Sequence, residues 1–192
     1  MRRMSRGWPT GCINIAIVAD AFPTIALVGL PGAGKSTIGR RVAAQLSCSF
    51  FDLDAEIERH AGLSVSEIFE NHGERHFRAL ERDVTAVLAS RGGILATGGG
   101  WMSNPGAMAL VRPTGHIIYL RVGADCAISR MGRSMASRPL LADPDPSAKL
   151  ARLLVDREDD YQLADAVVDT EDVGIEKVTE QVALLATRFW AW

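Results

Sequence analysis

Five short apolar runs recur along the chain from residue 24 onward, and longer stretches with helical periodicity separate them. Uninterrupted apolar runs of this length are typical of strands that are buried on both faces of a sheet. Strands that alternate with helices form βαβ units, so the pattern predicts an α/β fold with a five-stranded parallel sheet between two helical layers. The predicted strands are TIALVG (24–29), SFFD (49–52), GILAT (93–97), GHIIYLRV (115–122) and DAVVDT (165–170).

The stretches between these runs carry apolar residues at helical spacing. In KSTIGRRVAAQL, the residues Ile38, Val42 and Leu46 recur every four positions, and GERHFRALERDVTAVLAS gathers its apolar residues on one stripe. In open α/β sheets, ligands bind beyond the carboxyl ends of the parallel strands. We therefore expect the functional residues at that edge of the sheet.

Two segments differ from this alternation. Residues 1–22 precede the first predicted strand and are expected to lie outside the fold, although three arginines before an apolar stretch superficially resemble an export signal. Residues 131–147 hold three prolines and two arginines between two helical patterns. Loops of this length are often active-site lids. The expected organisation is an extension, 1–22, and one domain, 23–192, with a mobile lid at 131–147.

The composition narrows the class of partner. The formal net charge is −2, so the basic surface typical of nucleic-acid binding is not predicted, and a small-molecule partner is expected. The cysteines at positions 12, 48 and 126 form no CxxC pair, which argues against a disulfide framework or a zinc site and fits a reducing cytosol. The chain has no apolar stretch of about 18 residues, so no membrane span is predicted. We expect a cytoplasmic monomer.

The segment GLPGAGKS, residues 29–36, matches the pattern G-x-x-x-x-G-K-[ST]. It follows an apolar strand and opens an amphipathic helix, which is the context that a phosphate-binding loop requires. Its glycines let backbone N–H groups face phosphate oxygens at the positive end of the helix. Lys35 is expected at the β and γ phosphates and the Ser36 hydroxyl on Mg²⁺. The predicted nucleotide-binding residues are Gly32, Ala33, Gly34, Lys35, Ser36 and Thr37.

Asp52 and Asp54 stand two positions apart in FFDLDAEIE. On an extended strand both side chains would point the same way, with the carboxylates roughly 7 Å apart. Asp52 is then expected to orient a magnesium-bound water. Asp54 is expected to accept hydrogen bonds from the hydroxyl groups of an acceptor and to help remove a proton. The alternatives are a helix cap for Asp54 and a solvated surface position for Asp52.

Two arginines fall on or beside apolar helical stripes, where an unpaired guanidinium is costly. Arg157 follows Leu150 by seven positions, and Arg78 lies at the edge of the stripe in GERHFRALE. A substrate carboxylate, which an arginine can grip with two hydrogen bonds, would explain such a position. The alternative for Arg157 is an internal carboxylate, and the alternative for Arg78 is a surface ion pair with Glu74 or Glu81 on its own helix.

Two further features suggest ligand contacts. Gly98, Gly99 and Gly100 end the third predicted strand, and three consecutive glycines indicate close approach by another group. The alternative is a simple turn before a helix that starts at Asn104. In the lid, Arg138 is the candidate to close over the transferred phosphoryl group, with a solvated loop arginine as the alternative.

These motifs together resemble the shikimate kinase family. GLPGAGKST, FFDLDAEIE, GLSVSEIFENHGERHFRALE, ATGGG, SRPLL and DREDDY occur in the order and spacing of that family, over about residues 24–190. The resemblance implies a P-loop kinase that uses ATP and Mg²⁺ to phosphorylate the 3-hydroxyl of shikimate, in the pathway to chorismate and the aromatic amino acids.

The resemblance also assigns roles to individual residues. It implies catalytic roles for Lys35, Asp54 and Arg138, with Arg138 also touching the nucleotide. It places Ser36 on the metal and Asp52 behind it through water. The shikimate site it implies consists of Asp54, Gly98, Gly99, Gly100, Arg78 and Arg157, with the two arginines clamping the carboxylate.

Some features depart from the family pattern or fit it in more than one way. The segment TEDVGIE lacks the arginine that many members carry near the adenine. Trp101 is bulky where small or aliphatic residues are usual, and it would narrow the pocket. The alignment of Arg130 and Arg133 at the lid entrance is ambiguous. A kinase of the same fold acting on another hydroxy acid, such as gluconate, and a ligand sensor without turnover are the competing functions.

Overall fold

The computed structural model describes residues 22–131 and 145–191. Its five strands form one parallel sheet in the order β2-β3-β1-β4-β5, which confirms the prediction. The strands are β1 (Thr24–Val28), β2 (Phe50–Asp52), β3 (Gly93–Ala96), β4 (His116–Arg121) and β5 (Ala166–Asp169). The helices are α1 (Lys35–Leu46), α2 (Leu53–Ala61), α3 (Val65–Ala89), α4 (Pro105–Val111), α5 (Ala124–Met131), α6 (Pro146–Tyr161) and α7 (Ile175–Trp190).

The central strands are buried on both faces. Every residue of β1 and β3 is buried, and so are the four residues from Ile117 to Leu120 of β4. Because successive side chains of a strand point to opposite faces, helices must cover both sides of the sheet. The predicted three-layer arrangement is therefore present.

Parallel pairing brings the segments that follow three strands to one edge of the sheet. The phosphate-binding loop follows β1, Leu53 and Asp54 follow β2, and the glycine run follows β3. Since β3 lies between β2 and β1, these three segments are neighbours in space. The expected functional edge is thus assembled by the order of the strands.

Helix α3 is kinked at Gly73, whose φ of 78° and ψ of 171° are not helical. A capping box of Ser64 and Glu67 begins the helix, in which the Ser64 hydroxyl accepts a hydrogen bond from the Glu67 N–H. The predicted apolar stripe lies beyond the kink, where Phe77, Val84 and Leu88 are buried. This second part of α3 carries Arg78 toward the glycine run.

Two predicted boundaries need correction. Strand β2 ends at Asp52, and Asp54 lies in the first turn of α2, so the two aspartates do not alternate along one strand as predicted. The predicted lid is also shorter than 131–147, because Met131 belongs to α5 and α6 begins at Pro146. Residues 132–144, with Arg133 and Arg138, and residues 1–21 lie outside the described part of the chain.

Within residues 22–131 and 145–191, the structure contains no helix with the length and apolarity that crossing a membrane would require.

Candidate active site

The loop between β1 and α1 forms one wall of a cavity of about 690 Å³. Gly29, Gly32 and Gly34 adopt φ values of 137°, 86° and 92°, a region in which a side chain is strained. A Cβ on Gly32 would also collide with the backbone of Ala127. All the predicted nucleotide-binding residues from Gly32 to Thr37 line the cavity. The loop therefore has the backbone shape that phosphate binding needs.

The Lys35 ammonium group is held by the loop itself. Its Nζ donates to the carbonyl oxygens of Gly29 at 2.8 Å and Leu30 at 2.9 Å, and the residue is only 9% exposed. These bonds keep a buried positive charge solvated by backbone dipoles while its side chain lines the cavity. The lysine is thus kept beside the space where phosphates would lie.

Ser36 and Asp52 meet across the loop. The Ser36 hydroxyl donates to Asp52 Oδ2 at 2.6 Å, which brings the first turn of α1 to the end of β2. Asp52 occupies the N-cap position of α2 but makes no capping hydrogen bond. The alternative of a solvated surface aspartate is wrong, because this carboxylate accepts a hydrogen bond from Ser36. The paired oxygens are the ligand type that Mg²⁺ prefers.

Asp54 lies in the first turn of α2 and lines the same cavity. A Cβ built on Gly98 would be 3.1 Å from Asp54 Oδ1, so this carboxylate lies directly against the glycine run. The alternative that Asp54 is the cap of this helix is wrong, since Asp52 holds that position. The positive end of α2 stabilises the ionised carboxylate of Asp54.

Glycine is required at positions 98–100 because neighbouring protein groups pack closely against the backbone there. None of Gly98, Gly99 and Gly100 has a positive φ, so backbone conformation does not demand them. A Cβ on Gly99 would lie 3.0 Å from Pro31, and a Cβ on Gly100 would lie 2.6 Å from Arg78 Nη2. A turn does follow the strand, because the Trp101 N–H donates to the Gly98 carbonyl oxygen at 3.1 Å. The predicted close approach is confirmed, and the approaching groups belong to the protein.

Arg78 and Arg157 come together at Gly100, next to the Gly98–Gly99 wall of the cavity. The same built Cβ on Gly100 would lie 2.6 Å from Arg78 Nη2 and 3.3 Å from Arg157 Nη2. One guanidinium comes from α3 and the other from α6. Two like charges this close repel each other unless an anion lies between or beside them.

The two arginines differ in their partners. Arg78 pairs with Glu81 at 2.9 Å and with Glu74 at 3.2 Å, so both ion pairs that were the alternative for this residue are present. Burial works to lower the pKa of Arg78, but these two carboxylates outweigh it and raise the pKa. Arg157 Nη1, in contrast, is buried without a hydrogen-bond partner. The ion pairs among the described residues include none that involves Arg157.

Glu81 is fully buried, which the prediction of a surface ion pair missed. A signal was present in the sequence, since Glu81 follows Phe77 by four positions and precedes Val84 by three, inside the apolar stripe. Its Oε2 accepts hydrogen bonds from Arg78 and Asn104, whereas Oε1 has no partner and faces the space beside Gly98.

The expectation for Trp101 is wrong. Its side chain is fully buried in the core, it does not line the cavity, and its indole N–H donates to the Thr85 hydroxyl at 3.1 Å. The chain turns at Gly98–Trp101, which sends the indole behind the glycine run instead of into the pocket.

The far end of the cavity has an apolar wall. Val173 and Ile175, from the segment that lacks the family's adenine arginine, line it together with Arg130. Arg130 donates to the Thr170 hydroxyl at 3.0 Å and to the Thr170 carbonyl oxygen, which fixes the guanidinium at the edge of β5. This wall offers aliphatic contact and one cation to a flat ring.

Comparison with known proteins is consistent with this geometry. The family model for shikimate kinase matches residues 31–186. A shikimate kinase of Nitrobacter winogradskyi is 45% identical over 174 residues, which cover 90% of this chain and 81% of the relative. A shikimate kinase of Caldanaerobacter subterraneus is 41% identical over 82% of this chain and 92% of the relative.

Solved structures also show similarity to shikimate kinases. The shikimate kinase of Acinetobacter baumannii in complex with shikimate superposes with a TM-score of 0.81 at 35% identity, covering 88% of this chain and 94% of that one. A gluconokinase of Sinorhizobium meliloti gives a TM-score of 0.60 at 16% identity, and that likeness extends to the fold alone.

Proposed function

The chain belongs to the shikimate kinase family of ATP-dependent phosphotransferases, and we propose that its acceptor is shikimate, phosphorylated on the 3-hydroxyl. The observation that carries this proposal is the meeting of Arg78 and Arg157 at Gly100, with a buried, unpartnered N–H on Arg157. An N–H group in that state needs an acceptor that the described residues do not provide.

The charge balance at the arginine pair favours a carboxylate. Arg78 is compensated by Glu81, whereas Arg157 is not compensated by any ion pair of the described residues. One positive charge is therefore left for a ligand that carries one negative charge and two oxygens in a plane. A carboxylate at Gly100 would leave the rest of a ring-sized acceptor along the glycine run, with its hydroxyl groups near Asp54.

At the other end, the phosphate-binding loop would hold the triphosphate. Lys35 would exchange its two backbone carbonyl partners for phosphate oxygens, and Asp54 would accept the proton of the attacking hydroxyl. Ser36 would hold Mg²⁺ and Asp52 would support the ion through a water, and the charge of the ion would neutralise the phosphates. We assign closure over the transferred group to Arg138, and adenine contact to the wall formed by Arg130, Val173 and Ile175.

We further propose that the enzyme acts as a monomer in the cytosol, where ATP and reducing conditions are found. Light scattering on the purified protein checks the first expectation, and a value that fits a dimer would contradict it. Fractionation of the source cells checks the second.

The test of the proposed function is ADP release with ATP and Mg²⁺ in the presence of shikimate, quinate or gluconate, each added alone. We expect release with shikimate only, and phosphorus NMR of the product should place the phosphate on the 3-hydroxyl. Asp54→Asn should lower kcat by roughly 10²–10⁴-fold. Asp83→Asn, on the exposed face of α3, is the matched control and should leave kcat unchanged. Turnover of gluconate without shikimate turnover would overturn the assignment.

A further inference from the structure

On the α3 side, hydrogen bonds from Trp101 connect the glycine run to the helix that carries Arg78. The indole N–H donates to Thr85 Oγ1, and the Thr85 hydroxyl donates to the Glu81 carbonyl oxygen at 2.6 Å. All three side chains are fully buried. Glu81 in turn holds Arg78 through its carboxylate at 2.9 Å. The hydrogen-bonded chain from Trp101 thus ends at the helical turn that orients one guanidinium.

Asn104 adds a second connection to the same turn. Its side-chain amide donates to the Arg78 carbonyl oxygen at 3.2 Å and to Glu81 Oε2 at 3.3 Å. Its own N–H donates to the Trp101 carbonyl oxygen at 3.0 Å, so the indole and the amide act from one turn of the chain. The segment from Gly98 to Asn104 therefore cannot move along α3 without breaking several buried bonds.

On the α6 side, Tyr161 ties the glycine run to the helix that carries Arg157. Its hydroxyl donates to the Gly99 carbonyl oxygen at 2.6 Å, and Tyr161 follows Arg157 by one helical turn. The ring is fully buried and stacks on Tyr119 with centroids 4.8 Å apart. Because burial raises the pKa of Tyr161 to about 12, the hydroxyl keeps its proton and donates throughout the neutral range.

These anchors lie on either side of the point where the guanidinium groups meet. Gly99 is hydrogen-bonded to α6, Trp101 is hydrogen-bonded to α3, and a Cβ on Gly100 between them would meet both arginines. Two guanidinium groups can grip one carboxylate only if their separation is held within a fraction of an ångström. We propose that Trp101, with Thr85, and Tyr161 are positioning residues that fix the distance between Arg78 and Arg157. The proposal deepens the proposed function and rests on it for the carboxylate.

A role in packing alone would predict a different result. Both aromatic rings fill the core, so truncating either would lower stability under any interpretation. The hydroxyl groups of Tyr161 and Thr85 can instead be removed with little change in volume. A loss that appears in the KM for shikimate and not in the KM for ATP would then come from the position of the arginines.

The experiment compares Tyr161→Phe, Thr85→Val and Thr85→Ser with the wild-type chain. We expect the first two to raise the KM and the dissociation constant for shikimate roughly three- to tenfold, with the KM for ATP unchanged. Tyr161→Phe loses the bond to Gly99, and Thr85→Val loses both the bond from Trp101 and the bond to the Glu81 carbonyl oxygen. Thr85→Ser keeps the hydroxyl and should restore most of the affinity. Thr187→Val is the control for the intrahelical bond alone, since the exposed Thr187 makes the same kind of bond, to the Ala183 carbonyl oxygen at 2.9 Å, on α7.

The outcomes separate the two proposals. If the wild-type chain neither binds nor phosphorylates shikimate, the proposed function is wrong and the positioning role for this acceptor fails with it. If wild type does both, and Tyr161→Phe and Thr85→Val match it in affinity for shikimate, the positioning role alone is wrong. A melting temperature that falls while both KM values stay constant would likewise assign these residues to packing. If Thr85→Val does not fold, the affinity of Tyr161→Phe for shikimate alone tests the positioning role.

Discussion

Replacing Arg157 with methionine should make the unliganded protein more stable and the enzyme much worse at using its acceptor. Methionine keeps a long apolar side chain against Leu153 and Leu154, which pack on the core. It removes the buried Nη1 that has no hydrogen-bond partner, and with it the repulsion between two guanidinium groups at Gly100. Stability and function therefore respond in opposite directions to one change.

The size of each effect follows from these contacts. An unsatisfied buried donor costs about 1–3 kcal/mol, and the partial exposure of Arg157 places the expected gain near the lower limit, about 1 kcal/mol. In a domain of this size, that gain raises the melting temperature by about 2–4 °C. A hydrogen bond to a charged group contributes about 1.5–3 kcal/mol, so the loss of acceptor affinity should be roughly 10- to 150-fold.

The assays are differential scanning fluorimetry without ligand and steady-state kinetics with shikimate varied at saturating ATP. Arg152→Met is the control, because Arg152 is exposed on the same helix, and neither its melting temperature nor its KM should change. A lower melting temperature for Arg157→Met together with an unchanged KM for shikimate would refute the reasoning. That result would mean that Arg157 is already satisfied within the protein.

Two further predictions follow from the same region. Gly100→Ala should raise the KM for shikimate at least fivefold with little effect on the KM for ATP, because the new Cβ would lie 2.6 Å from Arg78 Nη2 and displace it. Gly174→Ala, where the nearest atom lies 3.8 Å away, is its control, and equal kinetics in the two variants would contradict the prediction. The two tyrosines of the chain, Tyr119 and Tyr161, should show no phenolate absorbance at 295 nm near pH 10, where free tyrosine is about half ionised. Burial raises the pKa of both, to about 12 for Tyr161, so the stability they contribute is complete below about pH 10 and is lost as the pH rises through 12. A sigmoidal rise in absorbance centred at pH 10, before any unfolding, would contradict this prediction.

Sequence reasoning succeeded where the pattern is local. The strands were found because each is a short apolar run that ends in a polar residue or a glycine, and the phosphate-binding loop because its glycines and lysine occupy fixed positions between a strand and a helix. Parallel pairing then made it possible to place Asp52, Asp54 and the glycine run at one edge. Boundaries were less certain, and the start of α2 at Leu53 was missed because a buried leucine fits a strand and a helix equally well.

What could not be predicted depends on long-range packing. The burial of Glu81 and the destination of the Trp101 side chain both follow from where α3 crosses the glycine run, which no spacing within either segment encodes. The difference between the ion pairs of Arg78 and those of Arg157 also depends on long-range packing. Arg78 has two carboxylates within one helical turn, visible in the sequence. Arg157 has no carboxylate partner among the described residues, and this appears only when α6 is placed against the sheet.

The glycine run has a cause within the protein beside the contact with a ligand that was expected from the sequence. Close approach was expected because three glycines are costly, and the approaching groups were taken to be those of a ligand. In the fold, a Cβ on Gly98, Gly99 or Gly100 would meet Asp54, Pro31 or Arg78 respectively. The run is therefore the surface on which the phosphate-binding loop, the acidic residue after β2 and the arginine of α3 are packed together. A side chain at any of the three positions would push apart groups that we propose to act on one pair of substrates. This packing by itself explains the need for glycine, and contact of the run with the acceptor stays a prediction.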